Sequence, residues 1–327
     1  MLLNYANDTR TIWITHSYHV IWRVLMDIKS IAIIGLGSVG SLIAASAIRS
    51  GINVTFMDGR KSDAGPAEFT VEFMDGHTEK FTLQPFINDN HSVPDAIVLA
   101  CKTYQTDKAI EPILDESFSS TPVIIVQNGG GNAARLRRHL PNPLIRALAY
   151  FGAKRTGRTV IHSGRGNVVY GCSGHEEIAL DALNQSDNRI FDWTKSDNID
   201  LDEFRKLAVN AAINPITAIE DIPNGDIVRH RKIIQEISGE IAAAAKAIGY
   251  PITAAEIIET VYRIAEATAT NSSSMREDVK NGRPTEEKEI LGYLVDTLSH
   301  YDLPSDALRK ARERLHNLLD NGNKINS

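Results

Sequence analysis

Apolar and polar positions change period near residue 195. Before that point the apolar runs are short and rich in β-branched residues. Ser30–Ile34 is such a run and predicts a buried strand. Glycines follow at 35, 37 and 40, then Ser41–Arg49 reads as an apolar helix closed by Gly51, and Ile52–Met57 as a second strand. Strand, glycine turn, helix and strand fill about 30 residues, the size of one βαβ unit. Glu68–Phe73 and His77–Leu83 alternate about Asp75-Gly76, a hairpin signal. Ala96–Ala100 predicts a buried strand, Thr106–Leu114 a helix and Val123–Val126 a strand. The turn Gln127-Asn128-Gly129-Gly130-Gly131 comes next. Leu144–Phe151, Thr159–Ser163 and Asn167–Tyr170 predict further strands. Beyond this the period is helical. Asp200–Ile219, Asp226–Ile248, Ala254–Ala269, Glu286–Leu298 and Ser305–Leu319 are punctuated by Gly249, Pro251, Pro284 and Pro304. The predicted fold class is an α/β N-terminal domain followed by an all-α C-terminal domain.

Residues 1–26 stand apart. Trp13, Ile14, His16, His19, Ile21 and Trp22 lie there, but polar residues interrupt every apolar stretch and no small-residue cleavage site follows, which argues against a signal peptide. Met26 opens the regular pattern, so the expected division is an N-terminal extension over 1–26, an α/β domain over 27–195 and a helical domain over 196–327. The length of 327 residues suits two domains. An apolar fraction of 43% and a charged fraction of 23% exclude disorder as the main state. The formal charge of −6 leaves no footprint for nonspecific nucleic-acid binding. No apolar run reaches the length of a membrane span. Cys101 and Cys172 have no metal-binding spacing and read as packing residues, which fits a reducing, cytoplasmic setting.

The chemistry starts at Gly35-Leu36-Gly37-Ser38-Val39-Gly40. This GxGxxG lies between a predicted strand and a predicted helix, the context of a dinucleotide-binding turn. The helix N-terminus offers its free N–H groups to phosphates. Asp58 lies about 18 residues past Gly40, near the spacing expected of a ribose-binding acid. Such an acid favours NAD(H). Arg60 and Lys61 follow and suit the 2′-phosphate of NADP(H), so both cofactors stay open.

Lys206, Asn210 and Asn214 recur every four residues on a predicted helix, so an ammonium and two carboxamides share one stripe. Their neighbours are apolar, and buried carboxamides need partners. Pro215 predicts a kink or break there. Lys102 and Asn128 each follow a strand, the end of a parallel sheet where ligands bind. Asn271-Ser272-Ser273-Ser274-Met275 reads as a loop, and Thr285 as the cap of a helix whose first turn carries Glu286, Glu287 and Glu289.

Taken together these motifs resemble the ketopantoate reductases (2-dehydropantoate 2-reductases). The resemblance rests on the glycine turn, Lys102, Gln127-Asn128-Gly129, Lys206-Leu207-Ala208-Val209-Asn210 and Ile213 to Ile219. It extends to Pro223-Asn224-Gly225 and the run from Ser273-Ser274-Met275 through Arg283-Pro284-Thr285-Glu286. It covers residue 28 to near 320.

The resemblance implies a Rossmann-type domain and a helical domain like the C-terminal domain of 6-phosphogluconate dehydrogenase, with the substrate in the cleft between them. It implies NADPH-dependent reduction of 2-dehydropantoate to (R)-pantoate, on the way to pantothenate and coenzyme A. It places Lys206 at the catalytic lysine and Glu286 at the assisting glutamate. Asn210, Asn214, Asn271 and Ser274 fall at substrate-binding positions. The cofactor positions are Gly35 to Gly40, Asp58, Arg60, Lys102, Asn128 and Ala153. Two features depart from the family pattern: Asp58 stands where a basic residue is usual, and Tyr150 and Phe151 replace a small, Thr-rich run near the substrate. A small 2-oxo acid is the expected partner, neither nucleic acid nor membrane is, and a homodimer stays open. Reduction of another 2-oxo acid, or nucleotide binding without catalysis, are the alternative readings.

Overall fold

A computed structural model describes residues 11–16, 19–25, 28–58, 65–87, 93–172, 176–184 and 186–325. The chain divides into two compact units: the described parts of Met1–Gln127 with Asn132–Ile199, and Asn128–Gly131 with the described parts of Asp200–Ser327.

In the first unit, β3 (Ser30–Ile34), α1 (Ser38–Arg49) and β4 (Asn53–Met57) form the βαβ unit expected from the pattern. β5 (Ala67–Glu72) and β6 (Thr78–Pro85) pair antiparallel as the predicted hairpin. β7 (Ala96–Leu99), β8 (Val123–Ile125) and β9 (Leu144–Ala149) follow. The strands β6-β4-β3-β7-β8-β9 lie side by side and all pair in parallel. In chain order of these six strands that is 3-2-1-4-5-6, the doubly wound dinucleotide-binding order.

The central strands are buried on both faces, and their period of two sorts side chains into two layers. Ile31 and Ile33 of β3, Val98 of β7 and Ile124 of β8 enter one apolar cluster. Ala32 and Ile34, Ile97 and Leu99, and Val123 and Ile125 enter the other. Beyond β9 the sheet continues through β12 (Asn167–Cys172) to β14 (Asp192–Lys195). At its other end lie β11 (Thr159–Gly164) and β10 (Gly152–Thr156).

Several expectations need correction. The pattern gave no element before Met26, yet β1 (Thr11–His16) pairs with β2 (His19–Leu25), and β2 with β13 (Glu176–Ala179), in a separate three-stranded sheet. The expected helix over Thr106–Leu114 breaks into α2 (Thr106–Ala109) and short 3-10 turns, because Pro112 cannot donate to a helical ladder. The long strand expected to Phe151 stops at Ala149, and Phe151 turns into the core to stack on Phe191 at 4.5 Å. Phe151 packs against the core of the first unit, whereas Tyr150 is exposed.

α4 (Ile199–Glu220) runs through Pro215, so of the expected kink or break the break does not occur. The Thr217 hydroxyl lies within hydrogen-bond distance of the Ile213 and Asn214 carbonyls, 3.1 and 3.0 Å away. The second unit also holds α5 (Arg231–Ala247), α6 (Ala254–Ala267), α7 (Ser274–Lys280), α8 (Tyr293–His300) and α9 (Asp306–Ile325). The short α3 (Asn132–Leu136) belongs to the first unit. One apolar cluster, from Phe204 and Leu207 to Leu308 and Leu315, forms the core of the helical unit. Thr253 and Glu256 close a capping box on α6. The expected serine loop holds over Asn271 and Ser272, and Ser274 and Met275 open α7, whose N-cap Ser273 accepts from the Arg276 N–H.

Candidate active site

Within the first unit the glycine turn is shaped by close approach. Gly35 has φ +98, and a Cβ there would meet the Cys101 backbone nitrogen at 2.5 Å. A Cβ on Gly40 would strike the Gly35 carbonyl oxygen. Only glycine meets both demands. Around Gly37 the space is open, and α1 has no side-chain cap and no acidic residue in its first turn. The chain therefore fits a dinucleotide pyrophosphate: backbone can be approached at Gly37, and the positive end of α1 has no competing carboxylate.

Arg155, on β10, was not singled out from sequence. Its Nη1 donates to the Leu36 carbonyl and lies 3.2 Å from the Ser41 hydroxyl, so it braces the turn. Burial lowers its pKa. Ala153 lies on the same strand, packed against the core. Lys102 follows β7, and its turn is held by Gln127, whose Nε2 donates to the Cys101 carbonyl at 3.0 Å and the Thr106 hydroxyl at 2.9 Å. Asp58 directly follows β4 and is half-buried, while Arg60 and Lys61 lie outside the described residues.

The second unit gathers the polar groups. Lys206, Asn210 and Asn214 sit on α4 at the helical spacing. Asn214 is buried, and neither carboxamide has a hydrogen-bond partner among the described residues. Burial draws the Lys206 ammonium down to about 8, against the upward pull of Glu286 and Glu203.

Glu286 is 5% exposed and takes a hydrogen bond from Asn128 Nδ2 at 3.4 Å. Asn128 thus joins the helical unit rather than the sheet it follows. The cause is the glycine run: Gly129 has φ +96, a Cβ there would meet Glu289 at 2.6 Å, and Gly130 N–H donates to the Glu289 carbonyl at 2.8 Å. Ser274 is exposed at the first turn of α7. It is held there by its neighbour Ser273, whose Oγ lies 2.7 Å from Thr217 of α4.

Asn271 is half-buried, and its carbonyl accepts from the Asn224 N–H at 3.0 Å. Asn224 received no role from sequence because Asn-Gly reads first as a turn. The side chain is 9% exposed, its Nδ2 donates to Thr268 at 3.0 Å, and its Oδ1 is buried with no partner. Thr285 does not cap a helix as expected. Its Oγ1 is buried and unpartnered, and regular helix begins only after Glu286.

A doubly wound sheet with this glycine turn, followed in the chain by a helical unit bearing a half-buried lysine and a buried glutamate, is the architecture of a class of nicotinamide-dependent oxidoreductases. Comparison with known proteins narrows the class. The sequence profile of ketopantoate reductase PanE/ApbA matches residues 31–175, and that of its C-terminal part matches 198–312. A 2-dehydropantoate 2-reductase of Vibrio cholerae is 30% identical over 81% of this chain and 90% of its own length. The chain belongs to the ketopantoate reductase family. The alignment to a 2-dehydropantoate 2-reductase of Shigella flexneri, also 30% identical, covers 62% of this chain and 66% of that protein.

Among solved structures, the PanE/ApbA family ketopantoate reductase of Ralstonia eutropha JMP134 superposes with a TM-score of 0.76. It is 25% identical and covers 89% of this chain and 99% of its own. A D-mandelate dehydrogenase solved with NADH and anilino(oxo)acetate shares the fold, with a TM-score of 0.79 at 23% identity over 90% of this chain and 99% of its own. Among the described residues, no helix is long and apolar enough to cross a membrane.

Proposed function

We propose that the protein reduces 2-dehydropantoate to (R)-pantoate with NADPH, a step toward pantothenate and coenzyme A. The observation that carries this reading is Lys206: an ammonium drawn to about 8 by burial, one helical turn from a carboxamide without a partner. When bound, a nicotinamide dinucleotide supplies the hydride taken up by the C2 carbonyl carbon.

The chain's own groups do the rest. Lys206 stabilises the negative charge that grows on the carbonyl oxygen and delivers the proton to it. A pKa near 8 makes it a better donor than an ordinary lysine at neutral pH while leaving it mostly protonated. Solvent then restores the proton. Glu286 directs the ammonium and is itself directed by Asn128. Asn210, Asn214, Asn271 and Ser274 bind the substrate's carboxylate and hydroxyl, and the orphaned Asn224 Oδ1 joins them. Orientation of this kind brings the carbonyl into reactive range.

Residues 27–195 form the dinucleotide-binding domain and 196–327 the substrate domain in this reading. Gly35 to Gly40, Lys102, Asn128 and Ala153 serve the dinucleotide. Asp58 and Arg60 act at its ribose, Arg60 holding the 2′-phosphate. The dimeric ketopantoate reductase of Staphylococcus aureus supports a homodimer, and a biosynthetic step of this kind suits the cytoplasm.

The test is oxidation of NADPH and of NADH with 2-dehydropantoate, with Lys206→Ala as control. Turnover with NADPH, lost in the variant, is expected. Turnover with NADH alone would remove Arg60 from the 2′-phosphate and leave the ribose to Asp58. No turnover with either, in protein that still binds nucleotide, would sink the substrate and direct the search to other 2-oxo acids.

A further inference from the structure

Glu286 is followed by a second carboxylate that is engaged elsewhere. The Glu287 side chain is 12% exposed. Arg312 Nε donates to its Oε2 at 2.6 Å, and His316 Nε2 lies 2.8 Å from its Oε1. Arg312 and His316 are one turn apart on α9, so a single helix face grips both carboxylate oxygens. Burial pushes the Glu287 carboxyl up, but the hydrogen bonds from Arg312 and His316 outweigh it and hold the group below its ordinary value. The same bond raises Arg312, which also feels Asp296 and Glu289. The guanidinium lies across Gly292, where a Cβ would come within 3.4 Å of it.

Directly after Glu287 the backbone makes one π turn, Lys288–Gly292, before α8 begins. A π turn takes in one extra residue, and so turns the groups before it by roughly 100° from where an unbroken α-helix would put them. The turn is fixed from outside. The Glu289 carbonyl accepts from the Gly130 N–H at 2.8 Å, while the Glu286 carbonyl accepts from the Ile290 N–H within the helix itself at 3.0 Å. Glu287, at its entrance, is tied to α9 by a charge-assisted pair.

We propose that Glu287, gripped by Arg312 and His316, anchors the π turn so that the Glu286 carboxylate stands against Asn128 and acts on Lys206. Arg312 is then a positioning residue for the reaction. This rests on the reading of Lys206 and Glu286 given above.

The test follows the Lys206 ammonium by NMR in substrate-free, 15N-lysine-labelled protein, assigned with Lys206→Met. The same proteins are assayed for kcat and KM across pH. Arg312→Met is the main variant, with Arg312→Lys and Glu286→Gln beside it. Removing the Arg312 charge would by simple Coulomb repulsion raise the Lys206 pKa. Displacing Glu286 would lower it. The two effects have opposite signs, so the direction decides.

The expected result is a Lys206 pKa that falls below about 8 in Arg312→Met, in the same direction as in Glu286→Gln. With it kcat falls about tenfold and KM stays nearly constant, and Arg312→Lys restores most of the loss. A pKa that stays or rises in Arg312→Met, with only a lower melting temperature, would overturn the proposal and leave the pair a tether for α9. Should Arg312→Met not fold, Arg312→Gln is read in the same titration, and absence of a fall there overturns the proposal equally. If Glu286→Gln keeps full kcat while Arg312→Met still lowers the Lys206 pKa, the anchor stands and the catalytic reading of Glu286 fails.

Discussion

An ammonium on an apolar helix is held in tension between two demands. Burial favours the neutral amine, while the carboxylates of Glu286 and Glu203 favour the charge. The compromise near 8 has a direct consequence for rate. A proton donor works only while protonated, so kcat/KM should be level below pH 8 and fall about tenfold per pH unit above it. A profile level to pH 10 would remove Lys206 from the role of acid. Lys206→Ala should lose a factor of about 10² to 10⁴ in kcat. Lys206→Arg keeps a positive charge but cannot release a proton at these pH values. It should retain substrate binding yet fail in turnover, which a binding titration beside the assay would separate.

At the scale of elements, short contacts between segments far apart in the chain decide where polar groups stand. The glycine run after β8 is one such contact. Gly129→Ala would force a side chain into Glu289 from a backbone with φ +96. The expected cost is about 1–3 kcal/mol, with a drop in kcat because Asn128 and Glu286 move together. Denaturant unfolding and steady-state rates check the two parts. The joint between α4 and α7 is another. Thr217→Val removes the hydroxyl that pairs with Ser273 inside a buried site and should cost about 1–3 kcal/mol. Its larger effect should be on KM, because Ser274 follows directly on that cap. A variant with unchanged KM would show that α7 is held in place by packing alone.

At the scale of the whole molecule, the same lysine taxes stability. In the folded chain Lys206 loses its proton near pH 8, and in the unfolded chain near 10.5. Below pH 8 both states carry the charge and the folded state bears the full penalty of burying it. Between about 8 and 10.5 the unfolded chain binds the extra proton, so stability rises with pH. Lys206→Met should therefore be more stable than the natural sequence at pH 7, by a few degrees in melting temperature. The gap should close toward pH 10. A variant less stable at pH 7 would mean that the pairing of Lys206 outweighs its desolvation.

How much of this was legible in the chain follows from the range of the forces involved. The α/β half, the helical half, the glycine turn and the hairpin at Asp75-Gly76 could be read because period, turn residues and helix spacing act over a few residues. The four-residue spacing of Lys206, Asn210 and Asn214 is of that local kind. So is the division of Ile31 and Ile33 from Ala32 and Ile34 between two apolar layers. Reading failed where a neighbour distant in sequence took over. α4 continues through Pro215 without the break that a proline can impose. Phe151 leaves the run it seemed to belong to and stacks on Phe191. β1 and β2 gain a partner in β13, which nothing in their own residues announces. Asn128 stands with Glu286 rather than with its own strand, and Thr285 is buried without a hydrogen-bond partner for its hydroxyl instead of capping a helix. The titration of Lys206 and the grip of α9 on Glu287 belong here too. Each depends on burial and on charges from other elements, and those exist only once the chain has closed around them.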